Sequence, residues 1–597
     1  MCYQAAFCQG ERLFFVGFSV SCSENLVGLK PQNLPKKALL FWGGSEVLDL
    51  RGLSHISCAM NQRLALLLLL LYTACQNDTH HTETRVAFRY NQHNPITSLD
   101  PAFARTQNNI WAIDCLFNSL VQLDDSLHVK PCLATHWNIS PDGLTYRFRL
   151  RDDVFFHDDP SFPNGGKGRK LVASDVVYSF QRLLDVDWPK PGSWIFKGRV
   201  AETGAFTTEG DSVFVLHLAK PFQPMLQILT MQYASVVPRE ACAFYGRDFR
   251  RHPVGTGPFR FKVWAENQAL VLLKNEHYFE TDSSGQRLPY LDAVKTTFIS
   301  DRKTAFLEFK KGNLDYFFGL ESSYINELLT SDGDLQPALA QDFYFLKNPY
   351  LNTEYLGIKI DASDKQNPLQ IKALRQALNC GFDRAQMLRT LRNNVGRPAN
   401  SGFAPRGLPS FDDQQVPGYT YDPARATRLL AEAGFPRGKG LPPITLLCNA
   451  DYIDLCTFIA RQWEDLGIKV SIEMTETALL RERMRNGQAP FFRASWIADY
   501  PDAESFLTCF YSKNAAPPNY THFSHAEFDR LYEASLGETD DAKRYALYHA
   551  MDKILVVEAP IVFLFYDETA QFASRRVSGL SRNAINLLSL KRVRVAR

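Results

Sequence analysis

The chain has 597 residues, too many for one ordinary core, and the expectation is roughly three to five domains. Its composition, 45% hydrophobic and 22% charged, is ordinary for a globular protein. A formal net charge of +2 leaves no overall nucleic-acid footprint, and the short basic end, Lys591-Arg-Val-Arg594 onward, reads as a solvated tail.

Residues 1–59 carry four cysteines, scattered Gly and Pro and no sustained periodicity. The apolar run Leu64-Ala-Leu-Leu-Leu-Leu-Leu-Leu71 follows a short cationic stretch, Met60-Asn-Gln-Arg63. The run is too short to span a bilayer, which takes about 20 residues, and it suits the apolar region of a secretory signal. The junction Leu71-Tyr-Thr-Ala-Cys75 resembles a bacterial lipobox, with Tyr72 where the pattern prefers Leu. The expectation is translation from Met60, a signal over 60–75, a lipidated Cys75 and a tether over 76–84. Residues 1–59 are then an upstream stretch wrongly assigned to the protein, the alternative being a genuine disordered extension.

The pattern then alternates strands and helices. Residues 85–90 read as a strand, 108–123 as a helix with apolar residues at Ile110, Ile113, Leu116, Phe117 and Leu120, and 145–150 as an alternating strand. A second short strand is expected over 154–157. Ser174 is expected to cap a helix through Leu184, and 213–218 and 270–273 read as strands. Helices are expected over 367–378, with an early Pro, and over 422–434, with Asp422 as N-cap and Gly434 at the end. Residues 444–472 spell a β-α-β unit. Alternation of this kind implies an α/β architecture with mixed sheets. Seven cysteines beyond Cys75 lie at irregular spacing, which does not make a disulfide framework; most read as buried small hydrophobes, and one pair, such as Cys448 and Cys456, could bridge.

One segment concentrates recognition chemistry: Arg493-Ala-Ser-Trp496-Ile-Ala-Asp499-Tyr500-Pro-Asp502. In an extended chain Arg493, Ser495 and Ile497 point one way and Trp496 and Ala498 the other, until Pro501 ends the strand. A fixed cation and a fixed anion close together suit a zwitterion. The same residues would equally make a structural Arg–Asp pair beside a core Trp.

The blocks Trp137-Asn-Ile-Ser-Pro-Asp-Gly143-Leu-Thr-Tyr146-Arg-Phe148, Ala173-Ser-Asp175-Val-Val-Tyr-Ser-Phe180, Gly255-Thr-Gly257-Pro-Phe259, Arg375-Gln-Ala-Leu378 with Asp383-Arg384, and Tyr421-Asp-Pro-Ala-Arg425 occur in one order. Together with the 493–502 segment they resemble the bacterial family 5 extracellular solute-binding proteins, the peptide-binding components of ABC importers. The resemblance spans about 84 to 575. It implies a periplasmic-binding-protein-like α/β fold, lobes of mixed sheets around a hinge, with a ligand cleft between the first and third lobes. The implied division is lobe I over 85–130, 246–349 and 561–597, lobe II over 131–245, and lobe III over 350–560. It also implies that Asp499 holds a peptide α-ammonium, that Arg493 meets the carboxylate of a short peptide, and that Trp496 and Tyr500 shape the site. The implied partners are a peptide, ABC permease subunits and the membrane through Cys75, for a monomer on the extracytoplasmic face with no nucleic acid.

No catalytic constellation emerges: H-E-x-x-H, G-x-S-x-G and Walker A patterns are missing, and Gly165-Gly-Lys-Gly168 lacks the last one's spacing. Gly255-Thr-Gly257 leads into Pro258 and reads as a turn. His80-His81 lies in the tether, and Asp152-Asp153 and Asp158-Asp159 read as solvated loop acids. No cofactor or metal is expected. The alternatives are the same fold serving another solute or a sensor, and a secreted peptide or glycan hydrolase.

Overall fold

The structure, a computed structural model, describes residues 86–321, 324–361 and 363–596, and the backbone of two strands nearer the start. Those two strands, Gln4–Cys8 and Leu13–Gly17, pair antiparallel in a unit of their own, where the sequence had given no element. The signal, Cys75 and His80-His81 lie outside the described residues.

The main unit is organised by an 11-stranded sheet. In chain order its strands are β1 (Ala87–Asn91), β2 (Phe259–Ala265), β3 (Ala269–Lys274), β4 (Ala293–Thr297), β5 (Tyr316–Phe318), β6 (Phe343–Ile358), β7 (Arg397–Pro398), β8 (Ile444–Cys448), β9 (Val470–Met474), β10 (Phe491–Ile497) and β11 (Ile561–Ser574). Their spatial order is β2-β3-β4-β1-β5-β11-β6-β10-β8-β9, with β7 beside β11. Pairing is parallel for β4–β1, β5–β1, β8–β9 and β8–β10 and antiparallel for the others, so the sheet is mixed, as alternation of strands and helices requires. A second sheet of four antiparallel strands, Ala134–Ile139, Thr145–Leu150, Val213–His217 and Phe206–Glu209 in that order, stands apart. In Thr145–Leu150, Tyr146, Phe148 and Leu150 are buried while Arg147 and Arg149 face water, the period of two expected of a one-sided sheet.

Two large apolar cores result. One gathers residues of 88–294 with Tyr316, Tyr500, Ala573, Val577, Leu588, Leu590 and Val593; the other gathers residues of 351–566 with Leu127 and Ala584. The long strands β6 and β11 belong to both regions, and their register shifts between Pro349 and Thr353, where the chain leaves one core for the other.

The β-α-β unit forms as read, with Ile453–Glu464 connecting parallel β8 and β9. Asp422 caps Pro423–Glu432 by accepting from Arg425 N at 2.7 Å. Four local readings change. The helix expected over 108–123 is Gln107–Leu116, and a short strand, Val121–Leu123, follows. Gly257 N donates to Leu116 O at 3.0 Å and ends it; a Cβ on Gly257 would stand 2.3 Å from the Leu116 carbonyl carbon, so only glycine permits this approach. Residues 154–157 form no strand, since Phe155 makes only an isolated bridge to Lys170. Ser174 caps nothing: Ala173–Leu183 begins after Val172, whose N–H is taken by the Asp175 carboxylate at 2.9 Å. The helix expected over 367–378 is interrupted, because Arg375 holds the Leu369 and Gln370 carbonyls at 3.1 and 2.8 Å and the chain resumes as Lys372–Cys380. The basic end is no free tail either. Lys591 pairs with Glu280 at 2.9 Å, and Arg594–Val595 pairs with Val577–Ser578.

Candidate functional site

Strand β10 pairs antiparallel with β6, with Arg493 opposite Leu356, Ser495 opposite Glu354 and Ile497 opposite Asn352. These residues share one face of the sheet, so Arg493 and Glu354 are diagonal neighbours. Both are buried, and they form an ion pair. The guanidinium also lies 3.0 Å from the centre of the Tyr452 ring. Burial pushes the Glu354 carboxyl up, although the Arg493 charge opposes it. Asn352 donates to Glu354 at 3.1 Å and to Asp567 at 3.2 Å, and Asp567 is held by Arg392 at 2.6 Å. Arg493 is therefore committed to a protein carboxylate. Trp496, on the other face, donates from Nε1 to Ser505 O at 2.6 Å and packs against the second core.

Beyond Ile497 the strand ends and a loop turns into the short helix Glu504–Leu507. Buried carboxylates fasten this loop. Asp502 accepts from Glu504 N at 2.9 Å, from Arg544 at 2.6 Å and from Tyr548 at 2.7 Å. Glu504 accepts from the hydroxyls of Tyr500 and Tyr532. The Tyr500 ring stacks on Trp194 at 6.4 Å and joins the first core. The fastened loop presents Asp499 to a cavity of about 860 Å³.

That cavity runs between the two core regions. Trp111, Asn118, Tyr233 and Tyr278 line one side, and Tyr350 and residues 497–501 the other. Asp499 and Tyr500 line it; Arg493 and Trp496 do not. The Asp499 side chain is exposed to the cavity, while the protein walls around that cavity still withhold solvent from its carboxyl. Burial, reinforced by the charge of Glu504 and offset by Arg199, pushes it up to about 6. Among the described residues no side chain or N–H hydrogen-bonds or ion-pairs with it, although its own N–H donates to Ser505 Oγ at 3.1 Å. Other acids lining the cavity are engaged. Glu280 pairs with Lys591 at 2.9 Å, Asp124 with Lys130 at 3.4 Å, and Asp125 accepts from Ser581 at 2.6 Å. Burial pushes Asp114 up to about 6, against the pull of Lys591 and a hydrogen bond from Ser589.

The acids flagged elsewhere are spread over surface loops, with Asp153 on Arg151 at 2.8 Å and Asp158 on Lys167 at 2.8 Å. No group of three or more His, Cys, Asp or Glu among the described residues is placed to hold a metal ion. No helix among them is long and apolar enough to cross a membrane. The seven described cysteines, Cys448 and Cys456 included, are unbridged and buried.

Sequence reasoning missed the far wall of the cavity: Arg105, Trp111, Tyr233, Tyr278 and Lys591. Only the apolar face of Gln107–Leu116 gave a sign that this wall existed.

The sequence profile of the bacterial extracellular solute-binding proteins, family 5, middle region, matches residues 128–518. The chain belongs to this family. Family 5 proteins act outside the cytoplasm, and this member shares their fold as well as their sequence pattern. It is 28% identical over 482 residues to haem-binding protein A of Haemophilus influenzae, covering 78% of this chain and 84% of that one. It is 26% identical over 513 residues to a probable di/tripeptide-binding protein of Pseudomonas aeruginosa, covering 81% and 90%. Among solved structures, the Helicobacter pylori periplasmic binding protein DppA in complex with the peptide STSA superposes with a TM-score of 0.69 at 24% identity, over 87% of this chain and 100% of that one.

Proposed function

We propose that this family member captures short peptides outside the cytoplasm and delivers them to an ABC permease, with Asp499 receiving the ligand's α-ammonium. The observation that carries the reading is the Asp499 carboxylate, which lines an 860 Å³ cavity without a protein partner. A volume of this order is typical of small-ligand sites, which run to about 1,000 Å³. An ammonium placed beside Asp499 gains a charge-assisted hydrogen bond that no described protein group supplies. Main-chain groups of an extended peptide are the same for every sequence, so such a site can be broad in side chain yet strict at the terminus. The di/tripeptide-binding relative and the STSA complex support the same chemistry.

The test is native mass spectrometry of freshly purified protein, followed by calorimetry with the ligands found. Short peptides with free amino termini are the expected cargo. Haem or another ligand without an ammonium would overturn the assignment.

The pH dependence follows from the raised carboxyl. Asp499 binds ammonium only when ionised, so protons compete with the ligand. Affinity for a free-amine peptide is expected to fall as pH drops through about 6, by at most about tenfold per unit below it. An N-acetylated peptide should show no such slope. Asp499→Asn should abolish it, which separates Asp499 from Asp114, also pushed up to about 6. Calorimetry between pH 5 and 8 reads all three, and a slope that survives in Asp499→Asn assigns the titration elsewhere.

We also propose the three-lobe division, with 85–130, 246–349 and 561–597 as lobe I, 131–245 as lobe II and 350–560 as lobe III. The separate four-stranded sheet and the second core support it. A lipid anchor at Cys75 and a monomeric state complete the reading. Intact-mass analysis of membrane-extracted protein should show a diacylated or triacylated Cys75.

A further inference from the structure

We infer that Arg105 is the cation that receives a ligand carboxylate lying within one or two residues of the α-ammonium held by Asp499. This rests on the peptide reading above and extends it to the other end of the ligand. Arg493, the cation singled out in sequence, is paired with Glu354 and does not line the cavity. Four cationic side chains do: Arg105, Lys130, Lys591 and Arg592. Lys130 faces Asp124 at 3.4 Å, Lys591 faces Glu280 at 2.9 Å, and Arg592 stands in the field of Glu280. Arg105 faces no acid. Among the described residues its guanidinium makes no hydrogen bond or ion pair, and its side chain is exposed to the cavity.

The backbone under Arg105 is nonetheless fixed. Its N–H donates to Phe103 O at 2.9 Å, and the preceding carbonyl of buried Ala104 accepts from Gln232 Nε2 at 2.8 Å. Tyr233 relates it to Asp499. The Tyr233 phenol lies close enough to both charges for each to act on its ionisation, Asp499 raising and Arg105 lowering it. The cavity therefore holds an unpartnered anion, Asp499, and an unpartnered cation, Arg105, which both act on one tyrosine without pairing with each other, while Arg592, also without an ion pair, stands in the field of Glu280. A short zwitterion satisfies both, and a longer peptide does so when an acidic side chain stands near its amino terminus. A guanidinium suits this task because its fork meets both carboxylate oxygens.

Calorimetry with four probes tests it: Ala-Ala, Ala-Ala-amide, Glu-Ala-amide and N-acetyl-Ala-Ala, each against wild type, Arg105→Ala and Arg105→Lys. For wild type, amidating Ala-Ala should cost about ten- to hundredfold in affinity, and Glu-Ala-amide should recover part of it if an acidic side chain reaches Arg105. Arg105→Ala should bind Ala-Ala as weakly as wild type binds the amide, with no further loss on amidation; Arg105→Lys should fall between. Loss on acetylation should be equal in wild type and Arg105→Ala. If Arg105→Ala distinguishes Ala-Ala from its amide as well as wild type does, Arg105 is not the receptor, while a retained acetylation effect leaves the Asp499 reading standing. A wild type that binds none of the four probes overturns both.

Discussion

Replacing Glu354 with alanine is expected to lower the stability of the protein by about 3–5 kcal/mol, because it leaves a guanidinium buried without its counter-ion. The Arg493 side chain is 9% exposed and that of Glu354 4%. No acid other than Glu354 pairs with Arg493 among the described residues, and Arg493 Nε is buried without a hydrogen-bond partner. Denaturant unfolding of the ligand-free protein measures the effect. Replacing both members with apolar residues of similar volume, Glu354→Leu with Arg493→Met, should restore much of the loss, since the charges are then removed together. The comparison discriminates between roles. A receptor for ligand would change affinity with little change in unfolding; a structural pair changes unfolding first. Full stability in Glu354→Ala would return Arg493 to the list of ligand contacts.

The second large effect is on binding. Asp499→Ala is expected to weaken a free-amine peptide by about 2–5 kcal/mol, roughly 30- to several-thousand-fold, because it leaves an ammonium desolvated and unpaired. Asp499→Asn should lose most of the same affinity, since it keeps the shape and removes the charge. N-acetylating the peptide should reproduce the loss in wild type and add little in the variant, the non-additivity of two changes to one contact. Ligand-free stability should move the other way. A carboxyl whose folded pKa is raised to about 6 costs the native state stability as pH rises from the unfolded value through 6. At neutral pH the unliganded Asp499→Asn protein should therefore unfold no more easily than wild type. Equal affinity of Asp499→Ala for free-amine and acetylated peptides, both at the wild-type level, would reduce Asp499 to a cavity-lining residue without a ligand.

What could be read in the sequence was what local pattern encodes. Alternation made Thr145–Leu150 a strand, and helical period with an Asp cap and a terminal Gly delimited Pro423–Glu432. The reading failed where tertiary partners override pattern. Leu120 continues the helical period of Gln107–Leu116, yet Gly257 approaches from far along the chain and closes that helix early. The site divided in the same way. Asp499, which lines the cavity, could be singled out because it belongs to a contiguous segment. Arg493 carried the right charge, but its partner Glu354 lies 139 positions away and is diagonal to it only through the register of β6 and β10. Arg105 had no pattern to announce it, because its unpaired state is a property of its neighbours in space.

The first core has a kinetic consequence. Trp111, buried in it, donates to Asn586 O across 475 positions of chain, and Val577, Leu588 and Val593 pack in the same cluster as Phe88. The C-terminal members of this cluster can join it only when nearly all of the chain has been synthesised. The second core, drawn mainly from 351–566 with Leu127 and Ala584 added, closes over shorter loops for most of its members. The first core is therefore completed by its most distant partners, which come from the end of the chain. Contacts of such sequence separation are slow to form.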